Sequence, residues 1–210
     1  MTKSSETSYH HKDLRQSLIK AALELIAQKQ DASTLSLREV ARQVGVSNAA
    51  PYRHFADKNA LLAAVAEEGF HILTGCLQSS IEKTSDDPLQ QLQASGVAYI
   101  KFAISHPSHY RLMFSAFRAD NLCDPPLNAA GQEAFAVMMD TIVRGQKASK
   151  IQVGEPLHLA WVTWSFVHGL AMLLIDHQLP ITDEQDIVSV AELATKSLID
   201  GIHHEENTSR

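Results

Sequence analysis

Residues 34–58 hold the densest group of side chains suited to molecular recognition. Arg38 carries a planar guanidinium that can fork onto the O6 and N7 of a guanine. Asn48 offers the donor–acceptor pair that fits an adenine edge, and the Ala49 methyl suits the methyl of thymine. Ser36, Ser47, Tyr52, His54 and Lys58 add hydroxyl, imidazole and ammonium groups of the kind that hold phosphate oxygens. The two sets together suit double-stranded DNA, one reading base edges and the other gripping the backbone. Catalysis finds less support. No Ser-His-Asp order, carboxylate pair or glycine-rich phosphate loop stands in a supporting context, so an enzyme is not expected.

Local sequence also supplies the elements that would present these groups. Ser36 and Glu39 have capping-box spacing, each side chain able to satisfy a backbone donor of the other residue. Leu35 and Val40 stand where a hydrophobic staple fixes the entry to a helix, and Gly45 suits the left-handed residue that ends it. Val46 then plugs a corner, and Ser47 is placed to cap a third, short helix. This order spells a helix-turn-helix whose second helix enters the major groove. An ordinary corner between two helices uses the same capping chemistry, but it has no need of Tyr52, His54 and Lys58 close behind it. Pro51 falls in the first turn of the recognition helix, where it removes one early hydrogen bond and predicts a bend without a break.

The rest of the chain reads at helical period. Leu14, Leu18, Ala22, Leu25 and Ile26 line one face of a first helix. Leu62, Val65, Gly69, Leu73, Cys76 and Leu77 form a stripe on a long fourth one. Breaks at Ser85–Pro88, His106-Pro107 and a loop from Asp120 to Pro126 separate further helices. Three more are expected over about 127–148, 156–178 and 183–203. No segment alternates with β-branched enrichment, so the fold class is all-α: a three-helix DNA-binding head over residues 10–56 and a helical bundle over 57–205.

Charge follows the same division. The chain carries −6 overall, yet residues 1–60 hold nine Lys/Arg against six Asp/Glu, a net +3 that leaves −9 on the remainder. A basic head can meet phosphate while an acidic body is repelled by it. The polar N-terminus lacks a signal-peptide core, and no uncharged apolar run of spanning length is expected; together with two cysteines of no metal-type spacing, this predicts a cytoplasmic protein with no membrane partner.

Leu37 to Lys58 with Leu61-Leu62, above all Val46-Ser47 and Tyr52-Arg53-His54-Phe55-Ala56-Asp57-Lys58, resembles the tetracycline-repressor (TetR) family of regulators. Pro51 departs from the leucine usual there. The segments His106 to Phe114 and Trp164 to Gly169 look like the C-terminal domain type named for a Trp-His-Gly pattern. The resemblance implies a DNA-binding head, a connecting helix from Lys58, and a body that dimerises and encloses a small effector. A rival is a ligand-binding or scaffolding protein of the same fold that has lost DNA binding. The polar side chains retained at 38, 47, 48, 54 and 58 speak against it.

Within the body, Phe102, His106, Tyr110, Met113 and Phe114 cluster around the Pro107 junction in sequence. Met138, Trp161, Trp164 and His168 come from later helices. A cavity of aromatics, methionines and a few polar tips suits a small apolar or aromatic effector, although any of these side chains also serves as plain core. The helix around Trp161–Ile175 is apolar nearly all round and needs cover. With Ile187, Val190, Leu193, Ala194, Ser197, Leu198 and Ile202 of the last helix, it is expected to form a four-helix homodimer interface. The pairs His106/His109 and His203/His204 lack a third ligand of matching spacing, so neither a metal nor another cofactor is expected. Cys123 has no basic neighbour to activate it as a thiol sensor.

Overall fold

The computed structural model describes the backbone of residues 4–116 and 124–203, and the side chains of 14–115 and 124–203. Cys123, Phe117 and His204 lie outside the described residues. Eight α-helices follow one another among them: α1 (Ser4–Lys29), α2 (Leu37–Val44), α3 (Lys58–Glu82), α4 (Pro88–Ser105), α5 (Pro107–Ala116), α6 (Pro125–Lys147), α7 (Pro156–Ile175) and α8 (Glu184–Ile202). Short 3-10 turns at Ala32–Thr34 and Pro51–Arg53 complete the order.

Helix boundaries follow local chemistry. Asp87 caps α4 by accepting from the Leu89 amide at 3.0 Å, with Pro88 preorganised in its first turn. Asp183 caps α8 through the Gln185 and Asp186 amides. Pro125 and Pro126 open α6 and do not lie in a loop as their sequence suggests, because proline has no amide to leave unbonded in a first helical turn. The apolar helix α7 stops at Ile175, ahead of the expected Gln178.

Two compact units divide the chain. The first takes residues up to Gly69 together with Ser108–Asn128; the second takes Phe70–Pro107 and the chain from Ala129. The first unit buries Leu18, Ile19, Ala22 and Ile26 of α1, Val40 and Ala41 of α2, and Phe55, Leu61 and Val65. Within the second, α4 packs against α7 and α8. Gly96 lets α4 close on α8, since a β-carbon there would stand 2.9 Å from Cγ2 of Thr195. Leu92, Ile142, Ile151, Ala160, Ile199 and Ile202 form a buried cluster in that unit, with Met138 packed against it. Ile202 therefore faces the core and not a partner subunit: with Ala191, Thr195 and Ile199 it lies on the buried stripe of α8.

Hydropathy brings a correction. Both α3 and α7 are long and apolar enough, by length and composition, to cross a membrane, and α7 contains no Asp, Glu, Lys or Arg in its 20 residues. Half of the apolar stretch of α3 is buried within the chain, but only 33% of that of α7.

Candidate nucleic-acid interface

The first unit builds the corner from the bottom up. Ser36 caps α2, its Oγ accepting from the Glu39 amide at 3.2 Å. The reciprocal half of the expected capping box is absent. The Glu39 carboxylate instead accepts from Lys29 Nζ at 2.7 Å, because the end of α1 lies beside the start of α2. Gly45 ends α2 at φ 78°, ψ 29°, the left-handed conformation that only glycine adopts without strain. The Val46 amide then donates to the Ala41 carbonyl at 2.9 Å, turning the chain at a half-buried Val46.

After this corner the structure departs from expectation. No α-helix begins at Ser47. Residues 47–50 make a bend, and a single 3-10 turn covers Pro51–Arg53. The cause is Pro51. It has no amide hydrogen to donate to the Ser47 carbonyl four residues back, and the Ala50 amide takes that carbonyl in a tighter bond at 2.9 Å. Ser47 thus contributes its carbonyl to the turn, and its hydroxyl caps nothing. Pro51 and Phe55 are buried, and the amides of His54 and Phe55 both donate to the Pro51 carbonyl at 2.9 Å. The Arg15 guanidinium of α1 lies 5.5 Å from the centre of the Phe55 ring, pinning the base of the turn.

Arg38, Ser47, Asn48, Ala49 and Tyr52 are exposed, and among the described residues none of their side chains has a bonding partner. Ser36 is exposed too, though its oxygen serves the cap. His54 is half-buried, its ring 6.4 Å from that of Phe55 and its Nε2 shielded from solvent. Lys58 is half-buried and donates to the Ser33 carbonyl at 2.8 Å, bracing the 3-10 turn at Ala32–Thr34 against the start of α3. Asp31 beside it is held below the ordinary carboxylate range by the Ser33 hydroxyl and amide, then by Lys58 and Lys29. Asp57, just before Lys58, caps the start of α3 by accepting from the Ala60 amide at 2.9 Å. Sequence reasoning passed over Arg42, Gln43 and Arg53, which are exposed as well. The spacing of Arg42 four residues after Arg38, one helical turn, was the available signal.

The candidate effector residues divide between the units. Tyr110, Met113 and Phe114 belong to the first unit, where Tyr110 and Met113 are fully buried and Phe114 meets the Tyr110 ring edge-on at 4.9 Å. In the second unit Phe102 is buried and stacks on His106 at 4.9 Å. There Trp164 Nε1 donates to the Tyr99 hydroxyl at 3.1 Å, and that hydroxyl is 3.1 Å from His168 Nδ1. Burial pushes the His168 imidazole below its ordinary pKa, favouring the neutral ring. Trp161 does not share this cluster. It is 48% exposed and leans on His158, because α7 turns Ala160, Thr163, Trp164 and Val167 inward and Trp161 outward. Among the described residues no group of three His, Cys, Asp or Glu stands close enough to hold a metal ion.

Among the described residues, one unit carries a corner of helix-turn-helix type whose second arm is a 3-10 turn, and the other a bundle of helices, a build that suits a DNA-binding transcription regulator. Two family models identify which kind. Residues 18–65 match bacterial regulatory proteins of the tetR family, and residues 92–198 match the tetracyclin repressor-like C-terminal domain, a description that carries no Trp-His-Gly designation. The chain belongs to the tetracycline-repressor family of transcription regulators, which generally bind DNA and respond to ligands as dimers. A protein with unknown function from Rhodococcus sp. RHA1 is 30% identical, with 90% of this chain and 95% of that one covered, at a TM-score of 0.80. A TetR family transcription regulator from Marinobacter aquaeolei VT8 is 18% identical over 95% of this chain and 100% of that one, at 0.72. The fatty acid degradation regulator FadR from Bacillus halodurans is 14% identical over 89% and 98%, also at 0.72. These last two share the fold.

Proposed function

We propose that the chain is a cytoplasmic repressor that binds a palindromic operator as a homodimer and is released by a small apolar or aromatic effector. The observation that carries this reading is the exposed row Arg38, Ser47, Asn48, Ala49 and Tyr52, whose side chains make no bond to any other described residue. A corner needed only for packing has no use for such a row. The DNA-binding part corresponds to about residues 10–56 and the body to 57–205. Arg38, Asn48 and Ala49 read base edges, while Ser36, Ser47, Tyr52 and His54 hold phosphates. Lys58 adds its charge to the backbone contact while bracing the head.

Effector recognition belongs to the second unit, around Phe102, His106, Met138, Trp164 and His168. Tyr99 joins them through its bonds to Trp164 and His168. An effector that favours the wrong spacing of the two heads by ~3–5 kcal/mol lowers operator occupancy by orders of magnitude. Selection of purified protein on a random duplex library tests the reading. Enrichment of an inverted repeat, with binding reversed by an apolar compound that also raises Tm, is the expected result. Enrichment of no sequence would overturn it.

A further inference from the structure

We infer that Pro51 is a positioning residue that sets the base sequence the head reads: from a buried site that no base can reach, it fixes the winding that aims Asn48 and Ala49 relative to Tyr52. This rests on the DNA-binding reading above and names the source of its specificity. Between Ser47 and Phe55 the buried residues are Pro51 and Phe55, whereas Ser47, Asn48, Ala49, Tyr52 and Arg53 are exposed. The proline ring therefore acts on DNA only through its neighbours.

Both ends of that segment are held. Ahead of it, Gly45 turns the chain at φ 78°, and the Val46 amide is bonded to the Ala41 carbonyl at 2.9 Å. Behind it, Phe55 is buried, its amide donates to the Pro51 carbonyl at 2.9 Å, and Arg15 of α1 lies over its ring. Between fixed ends, the manner of winding decides where the exposed side chains point. An α-helix turns about 100° and rises about 1.5 Å per residue, while a 3-10 winding turns about 120° and rises about 2.0 Å. From Asn48 to Tyr52 the two differ by about 80° in direction and about 2 Å in height. Base edges are read through bonds of about 3 Å, so either difference carries a side chain to another edge.

The chain takes the tighter winding because one donor is missing. An α-helix capped at Ser47 would begin with the amide of residue 51 donating to the Ser47 carbonyl, and proline has no such hydrogen. The Ala50 amide takes that carbonyl at 2.9 Å. The Arg53 amide follows the same pattern, reaching three residues back to the Ala50 carbonyl at 3.2 Å, and the His54 amide repeats it on the Pro51 carbonyl at 2.9 Å. Any other residue at 51 restores the amide, and with it the competing α-helical bond.

Selection of the full-length protein on a random duplex library, run on wild type, Pro51→Ala and Pro51→Leu, tests this. The two substitutions change side-chain volume at a buried site in opposite directions, yet both return the donor. Asn48→Ala and Arg38→Ala, selected in parallel, mark which operator positions answer to which residue. Positions that lose their preference in Asn48→Ala should acquire a new one in both Pro51 variants, while those that depend on Arg38 should keep theirs. Each Pro51 variant should bind the wild-type operator about tenfold or more weakly, but its own selected sequence to within about threefold of the wild-type affinity. Weakening on both sequences would mean a head that has only loosened, and would overturn the inference. Should Pro51→Leu unfold, Pro51→Ala decides, with protection of the new amide from hydrogen exchange showing that the α-helical bond has formed. A wild type that enriches no sequence would sink the base reading and this inference together. Enrichment of the wild-type sequence by both variants would overturn the role of Pro51 alone. A shift in only one of two folded variants would trace the effect to side-chain volume and overturn it as well.

Discussion

Arg38→Ala separates sequence reading from everything else the head does. The side chain is exposed and makes no hydrogen bond or ion pair with the described residues, so its loss should change stability by no more than about 0.5 kcal/mol. A guanidinium forked onto guanine discriminates by about 1–3 kcal/mol. A dimer loses two such contacts, so operator affinity should fall by about 2–6 kcal/mol, roughly 30-fold to 20,000-fold at fixed salt. Binding to random duplex should change far less, because it depends on phosphate contacts and counterion release. Fluorescence anisotropy with operator and scrambled duplexes across a salt series would measure both. Equal losses on the two DNAs would make Arg38 a phosphate clamp and refute its assignment as a base reader.

Lys58→Met should lower stability by about 1 kcal/mol, after discount for its partial exposure, because the bond to the Ser33 carbonyl is lost. It should also make the salt dependence of random-DNA binding shallower, and an unchanged urea midpoint would remove the brace. Gly45→Ala should cost about 1–2 kcal/mol, since alanine resists the φ of 78° that ends α2; denaturant titration measures it. Burial holds the His168 pKa below its unfolded value of 6.5, so the unfolded chain binds more protons in the window beneath that value. The His168 contribution is complete above pH 6.5 and is lost as pH falls through the folded pKa. Wild type should therefore lose stability relative to His168→Gln on acidification, and parallel melting curves from about pH 7 to about pH 5 would contradict this.

What the chain disclosed in advance was its local chemistry. Helical period and caps gave α4, α8 and the start of α5 nearly to the residue, because Asp87 and Asp183 cap amides two positions away and Pro107 suits a first helical turn. Gly45 was legible for the same reason. The redirection of Glu39 to Lys29 and of Lys58 to Ser33 was not, since both depend on segments brought together by folding. Trp161 and Trp164 lie in a helix without a charged face, and sequence alone gave no reason to turn one outward and the other inward. Nothing local to Tyr99 marks it as a site residue, since its partners are 65 and 69 positions away. The boundary between units falls at Gly69 and Phe70, inside the uninterrupted helix α3, where composition gives no sign of it.

The compression of the reading segment into a bend and a three-residue turn limits how much information one head can carry. On the proposed assignment, three base-facing positions at about 1.4 kcal/mol each distinguish a right site from a wrong one by about a thousandfold. A genome presents about a million competing positions or more, among which a lone head would be lost. Two heads multiply their selectivities to about a million, which brings a single address within reach. The address is then held by neither copy alone, and a change in the distance between the heads deletes it without disturbing either one.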